Sequence, residues 1–285
     1  VYFVNYFIEG LGDEHWNVTV GWRWMFAAEA VPAIAFLVLL LPVPESPRWL
    51  TKQDRADEAL DILSRVNGEA IGRIELASIK KVLRQESGQL SELFSPRMRI
   101  VLMIGIALAV LQQVTGINVF LYFGPRIFEK IAESGTGAAM LQTVVVGAVN
   151  LTFTVLAIWT VDRVGRKPLM LIGYTGMGIS LLALGQAAYV QRTDYLVLTF
   201  MLIYIASFAL SVGAVTWVIL SEIFPTKIRG RAMAMATVCL WGANFVVSQT
   251  FPMMAETAWL VRRFHHAFPV WVYAAFCGLA VLFLA

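Results

Sequence analysis

Residues 100–127 read IVLMIGIALAVLQQVTGINVFLYFGPRI. Crossing a bilayer takes about 20 mostly apolar residues, and this run is long enough. Near its middle, however, it holds Gln112, Gln113, Thr115, Gly116 and Asn118, with Tyr122 one turn beyond Asn118. Neighbouring positions on a helix point about 100° apart, so at least one of the two glutamines must look into a bundle or a wet cavity. A buried amide left without a partner costs about 1–3 kcal/mol, so these residues need company. Gly116 permits a break, and interrupted helices with binding groups near the midplane are common in transporters. The simpler reading, in which Gln and Asn only tie helices together, suits one such residue better than this cluster.

Working outward, six more apolar runs of about one span fall at 22–43, 138–161, 168–190, 195–224, 232–254 and 268–285. Val1–Ile8 reads as the tail of a further helix, and the last run stops without a polar flank, so both ends read as cut. The runs are far longer than the 9–11 residues of a spanning β-strand and do not alternate. Composition agrees: 59% of the 285 residues are hydrophobic and 14% charged, well short of the quarter or so that soluble domains carry. A net charge of +3, scattered along the chain, gives no nucleic-acid footprint. Cys239 and Cys277 both lie in apolar runs, leaving no disulfide framework and no metal spacing. The chain reads as an all-α polytopic membrane protein without a cofactor.

Residues 45–99 form the one sizeable polar segment, with ten Lys/Arg and nine Asp/Glu. Within it Asp54–Val66 (Ala59, Ile62, Leu63, Val66) and Ile71–Gln85 (Ile79, Val82, Leu83) have helical apolar spacing, predicting short amphipathic helices at the membrane surface. With this segment in the cytoplasm, the short loops 161–168 and 225–231 fall on the same side and carry Arg163, Arg166, Lys167, Lys227, Arg229 and Arg231. The opposite loops carry Arg126, Lys130, Arg192, Arg262 and Arg263 over many more residues. The positive-inside rule favours that orientation.

Other polar and aromatic residues stand inside the apolar runs. Asn150 has Thr154 on its own face, and Asn244 lies one turn from Trp241. Trp217 and Trp241 sit mid-span, whereas membrane tryptophans usually belong to interface belts. Amides and indole faces together suit a sugar, whose hydroxyls take paired hydrogen bonds and whose C–H faces stack; packing is the simpler reading for either Trp alone. Glu29 is the acidic residue deepest in a span, which marks a functional group such as a proton relay, with Pro32 loosening the helix beside it. Its simpler reading is an ion pair with Arg23. Asn17-Val-Thr, in an outer loop, offers a glycosylation sequence.

The loops carry recognisable motifs. Val161-Asp162-Arg163-Val164-Gly165-Arg166-Lys167-Pro168, Pro44-Glu45-Ser46-Pro47-Arg48-Trp49-Leu50 and Ser221-Glu222-Ile223-Phe224-Pro225 with Ile228-Arg229-Gly230 all stand on one predicted side. Together with Gln112-Gln113, Gly116-Ile117-Asn118 and Tyr122, they resemble the sugar porter family of the major facilitator superfamily. Asn150–Ile158 and Thr250–Met254, followed by Trp259-Leu260-Val261, are similar to that family's bacterial D-xylose/proton symporters.

The resemblance implies a major facilitator fold, with this chain holding the C-terminal six-helix half, helix 6 and the cytoplasmic linker helices. Residues 1–43 would be the end of helix 5 and helix 6, 44–99 the linker, and 100–285 helices 7–12, the last truncated; helices 1–4 would lie outside it. It further implies monosaccharide contacts at Gln112, Gln113, Asn118, Tyr122, Trp217, Trp241, Asn150 and Asn244, and a proton-coupling role for Glu29. Glu45, Arg48, Asp162, Arg163, Arg166, Glu222 and Arg229 would form a cytoplasmic latch; plain topogenic charge is their simpler reading. The chain departs from the pattern twice: Leu240 stands where a glutamine ligand is expected, and Gly213-Ala214-Val215-Thr216-Trp217 lacks a proline. The expected function is import of a monosaccharide, D-xylose first, with a proton, by a monomer in the inner membrane. A hexose or polyol uniporter, a non-transporting sugar sensor and a gene remnant are the alternatives. A membrane enzyme is the least suited, since no second intramembrane acid, base or metal ligand accompanies Glu29.

Overall fold

The computed structural model describes residues 2–85, 93–123, 136–191, 195–226 and 228–285, which are helical without any strand. Arg126, Lys130, Arg192 and Lys227, four of the loop charges that orient the chain, lie outside the described residues. Helix α1 (Tyr2–Glu9) leads to α2 (Glu14–Trp16), a π turn (Asn17–Gly21), α3 (Trp22–Ala28) and α4 (Ala30–Leu40). This first complete span starts earlier than hydropathy places it, because the Asp13 carboxylate caps α2 by accepting from Trp16 N–H at 2.8 Å. Asn17 is part of that helical stretch and donates to the Glu9 carbonyl at 2.9 Å, so its triplet is not an open loop. The helix loosens at Glu29 as expected. Pro32 has no N–H to offer the turn before it, and Glu29 N–H turns to Phe26 O at 3.2 Å.

The polar linker folds on itself as α5 (Pro47–Lys52), α6 (Ala56–Asn67) and α7 (Glu69–Gln85) around Leu50, Ala59 and Leu76. Ile62 and Leu63 pack there as the spacing predicts, but Val66 is exposed and Leu76 takes the inner position instead. Val66 is the penultimate residue of α6, which ends at Asn67 before Gly68 at φ +83.

The remaining helices are α8 (Pro96–Val114), α9 (Ile117–Tyr122), α10 (Thr136–Val164), α11 (Arg166–Tyr189), α12 (Tyr195–Ser207), a π turn (Phe208–Val212), α13 (Gly213–Ile223), α14 (Arg229–Glu256), α15 (Ala258–Phe264) and α16 (Ala267–Leu284). Among the described residues, seven stretches are long and apolar enough to cross a membrane, one for each predicted run. In lipid their association rests on close fit and interhelical hydrogen bonds rather than on hydrophobicity. Small residues provide that fit: a Cβ on Gly173 of α11 would run into the Ser211 hydroxyl of the π turn.

Two cores result. The larger joins α11, α12 and α16 through Met170, Tyr174, Met177, Leu181, Met201, Tyr204, Tyr273 and Cys277. The smaller lies where α8 meets α13 and α14, among Leu102, Ala109, Leu220, Phe224, Ala236 and Leu240. The buried stripe of α14 runs Ala232, Ala236, Leu240, Asn244, Val247. It is apolar up to Leu240 and becomes polar at Asn244, level with the interrupted part of the facing helix.

Candidate functional site

The helix that holds the two glutamines is broken. Helix α8 ends at Val114, Gly116 adopts φ +86, and α9 restarts at Ile117. Only glycine takes that conformation freely, and a Cβ at this position would lie 2.6 Å from the Tyr273 ring. A break inside a membrane strands carbonyls, each costly if unsatisfied. Here Thr115 Oγ1 donates to Gln112 O at 2.9 Å, Gly116 N–H to Gln113 O at 3.0 Å, and the Tyr204 hydroxyl to Thr115 O at 2.9 Å.

The amides gather around this break. Asn118 Nδ2 donates to Gln113 Oε1 at 2.7 Å and to Asn244 Oδ1 at 3.0 Å, tying α8, α9 and α14 together. That pairing uses neither Gln113 Nε2 nor Asn244 Nδ2. Gln112 Nε2 donates to the carbonyls of Val212 and Gly213, each at 3.3 Å, where the π turn gives way to α13. Gln112 is 3% exposed, and its Oε1 has no hydrogen-bond partner among the described residues. The proline missing from α13 has thus not left a regular helix: a π turn interrupts it directly before Gly213.

Each predicted aromatic stands one turn from this network. Tyr122 follows Asn118 by four residues, Trp217 follows Gly213 by four, and Trp241 precedes Asn244 by three. While Gln112, Gln113 and Asn244 are buried, all three aromatics are exposed, Trp241 by 56%. Recessed amides flanked by open ring faces form a surface that can bond hydroxyls and stack C–H groups. Asn150 bonds within its own helix, its Oδ1 accepting from Thr154 at 3.3 Å. Leu240 lies in the apolar core between α8 and α14, one turn before Asn244. A surface cavity of about 380 Å³ lined by Glu256, Arg262 and His266 sits elsewhere, about 18 Å along α14 from Asn244 at 1.5 Å per residue.

Glu29 is exposed at the junction of α3 and α4 and makes no ion pair among the described residues. Arg23 is not its partner: the guanidinium donates to Thr19 O and lies 4.7 Å over the Trp22 ring.

Of the charged loop residues, Arg166 bridges Asp162 and Glu222, each at 3.0 Å, so the α10–α11 turn is pinned to the end of α13. Arg229 donates to Phe224 O at 3.2 Å, in the next loop, and Arg163 is exposed. Arg48 lies on α5 of the linker. Glu45 acts nearby within the linker, on Arg55, whose paired hydrogen bonds to Glu58 at 2.7 Å raise the arginine's pKa and lower the carboxyl's. Among the described residues, Asp162, Arg166 and Glu222 thus form one ion-pair cluster.

Sequence reading missed Tyr204 and Tyr273, and gave Thr115 no role of its own. The signal was available for the tyrosines, which are amphipathic residues placed mid-span rather than at an interface.

Comparison with known proteins follows the same line. The whole chain, residues 1–285, matches the family described as Sugar (and other) transporter. It is 48% identical over 287 residues to the D-xylose-proton symporter of Escherichia coli (strain K12), covering 100% of this chain and 57% of that protein. It is 42% identical over 285 residues to the arabinose-proton symporter of Bacillus subtilis (strain 168), covering 99% and 60%. Among solved structures it is similar to the partially occluded inward-open conformation of the xylose transporter XylE from E. coli. The TM-score is 0.84 at 44% identity, over 99% of this chain and 58% of that one. The chain thus spans under two thirds of the length of these relatives.

Proposed function

The chain belongs to the sugar transporter family, and on that footing we propose that it is the sugar-binding part of an alternating-access transporter importing D-xylose with a proton. The observation that carries this reading is the buried, unpartnered Oε1 of Gln112 beside the Gln113–Asn118–Asn244 amide network, with Tyr122, Trp217 and Trp241 open one turn away. An unsatisfied acceptor costs about 1–3 kcal/mol, and a sugar hydroxyl donating to it recovers that loss. Gln113 Nε2 and Asn244 Nδ2, which the Asn118 pairing does not use, meet the same sugar's oxygens, and the ring faces cover its C–H groups. Asn150 would join from α10 when the site closes.

In this reading residues 1–43 belong to the first half of the transporter, 44–99 to a cytoplasmic linker, and 100–285 to the second half. Transport proceeds by rocking one half against the other around the sugar. The Asp162–Arg166–Glu222 cluster, with Glu45, Arg48, Arg163 and Arg229, latches the cytoplasmic side. Glu29 carries the coupled proton, and the protein works as a monomer in the inner membrane.

The test is uptake of labelled D-xylose by proteoliposomes carrying the complete reading frame, with and without an inward proton gradient. Gradient-stimulated uptake is the expected result. Uptake indifferent to the gradient would make the protein a uniporter. Transport of another sugar with none of D-xylose would overturn the substrate, and binding without any transport would identify a sensor.

A further inference from the structure

We infer that Tyr204 is a positioning residue for the amide cluster, acting on sugar affinity without touching the sugar. This rests on the reading of that cluster as the sugar site. Tyr204 comes from α12 and is fully buried. It holds both sides of the break in the α8–α9 helix. Its hydroxyl donates to Thr115 O at 2.9 Å, the last carbonyl before Gly116, and its ring leans on Phe120 in α9 with centroids 4.9 Å apart. From the other flank, the Tyr273 ring fills the space above Gly116.

The consequence lies in the angle between the two helix pieces. Gln112 and Gln113 ride on α8 and Asn118 on α9, so their register across the break is set by whatever fixes that angle. The hydrogen bonds inside the break, from Thr115 Oγ1 and Gly116 N–H, engage carbonyls of α8 alone. Tyr204 reaches Thr115 and Phe120 together. The same bond also satisfies a carbonyl that the break would otherwise leave bare in a membrane interior.

Tyr204→Phe keeps the ring on Phe120 and removes the bond to Thr115. The readout is D-xylose binding, followed by tryptophan fluorescence, with transport and thermal melting in parallel, on the complete protein in detergent and liposomes. We expect affinity to fall about tenfold, the value of one hydrogen bond, with maximal transport rate little changed and a lower melting temperature as the Thr115 carbonyl loses its donor. Combined with Asn118→Ala, it should weaken binding no further than Asn118→Ala alone, since both act through the same pair. Unchanged affinity in Tyr204→Phe, or an additive double variant, overturns the assignment. Gln113→Ala separates the two levels. If it binds D-xylose as the parent does, the sugar site itself is wrong and this inference falls with it. If it binds weakly while Tyr204→Phe is unaffected, only the positioning role fails. Should Tyr204→Phe not reach the membrane, Phe120→Leu removes the other half of the clamp and is held to the same outcomes.

Discussion

Gln113 and Asn118 stand on opposite sides of the Gly116 break, and their amides meet at 2.7 Å. On an unbroken helix, residues five apart point about 140° away from each other. The pair therefore exists because the helix is interrupted, and the interruption is what converts two separate polar side chains into a recognition surface. Asn118→Ala leaves Gln113 Oε1 and Asn244 Oδ1 without their donor. We expect sugar affinity to fall by about 10- to 100-fold, the equivalent of one or two hydrogen bonds. Calorimetric titration of the purified protein with D-xylose measures it, and an unchanged Kd would remove this pair from the site.

Gly116→Ala attacks the break directly. The new Cβ meets both a φ of +86 and the Tyr273 ring 2.6 Å away. A left-handed conformation costs a non-glycine residue about 1–2 kcal/mol before any clash is counted. A melting temperature several degrees lower in detergent is expected, together with lost sugar binding. Adding Tyr273→Ala relieves the contact but not the backbone, so only part of the loss should return. Full recovery in the double variant would show that φ at this position is unimportant.

The Arg166 cluster predicts a different pattern. Arg166, Asp162 and Glu222 are all substantially exposed, and pairs of that kind contribute about 0–1 kcal/mol. Such an energy is too small to hold the fold, yet 1 kcal/mol changes the ratio of two conformers about fivefold. Glu222→Ala should therefore leave melting unchanged and shift the transport rate, with sugar affinity moved less than the rate. High salt should mimic it by screening. Lost stability with a normal rate would reassign the cluster to a structural role.

How much of this could be read beforehand follows from where the signals are local. Span positions were legible because hydropathy reports solvent, and the break was legible because Gly116 sits among amides. The start of the first span was missed because Asp13 caps a helix whose first turns are polar. Val66 was misplaced because spacing names a face without saying which of its positions the neighbouring helix covers. Asn150 shows the sharper limit. Its residue type fits a ligand, and its amide oxygen accepts from Thr154 one turn along the same helix, but spacing alone does not say what else that face meets. Tyr204 was noticeable as a mid-span tyrosine, but its role was not, since its partner Thr115 is 89 positions away.

Glu29 offers the last test, because its local setting isolates it. The helix is interrupted there, and the nearby Arg23 is engaged with Thr19 O and the Trp22 ring, so its charge has no fixed counter-ion among the described residues. An ionisable side chain at that depth in a span marks a functional group rather than a structural one. Glu29→Gln keeps the shape and removes the charge. D-xylose uptake driven by an inward proton gradient should fall to the level seen without one. Exchange between equal sugar concentrations on both sides moves no net protons and should continue near the parental rate. Loss of both activities would mean the side chain is needed for the conformational change itself. Gradient-driven uptake that survives in Glu29→Gln would place proton coupling elsewhere in the protein.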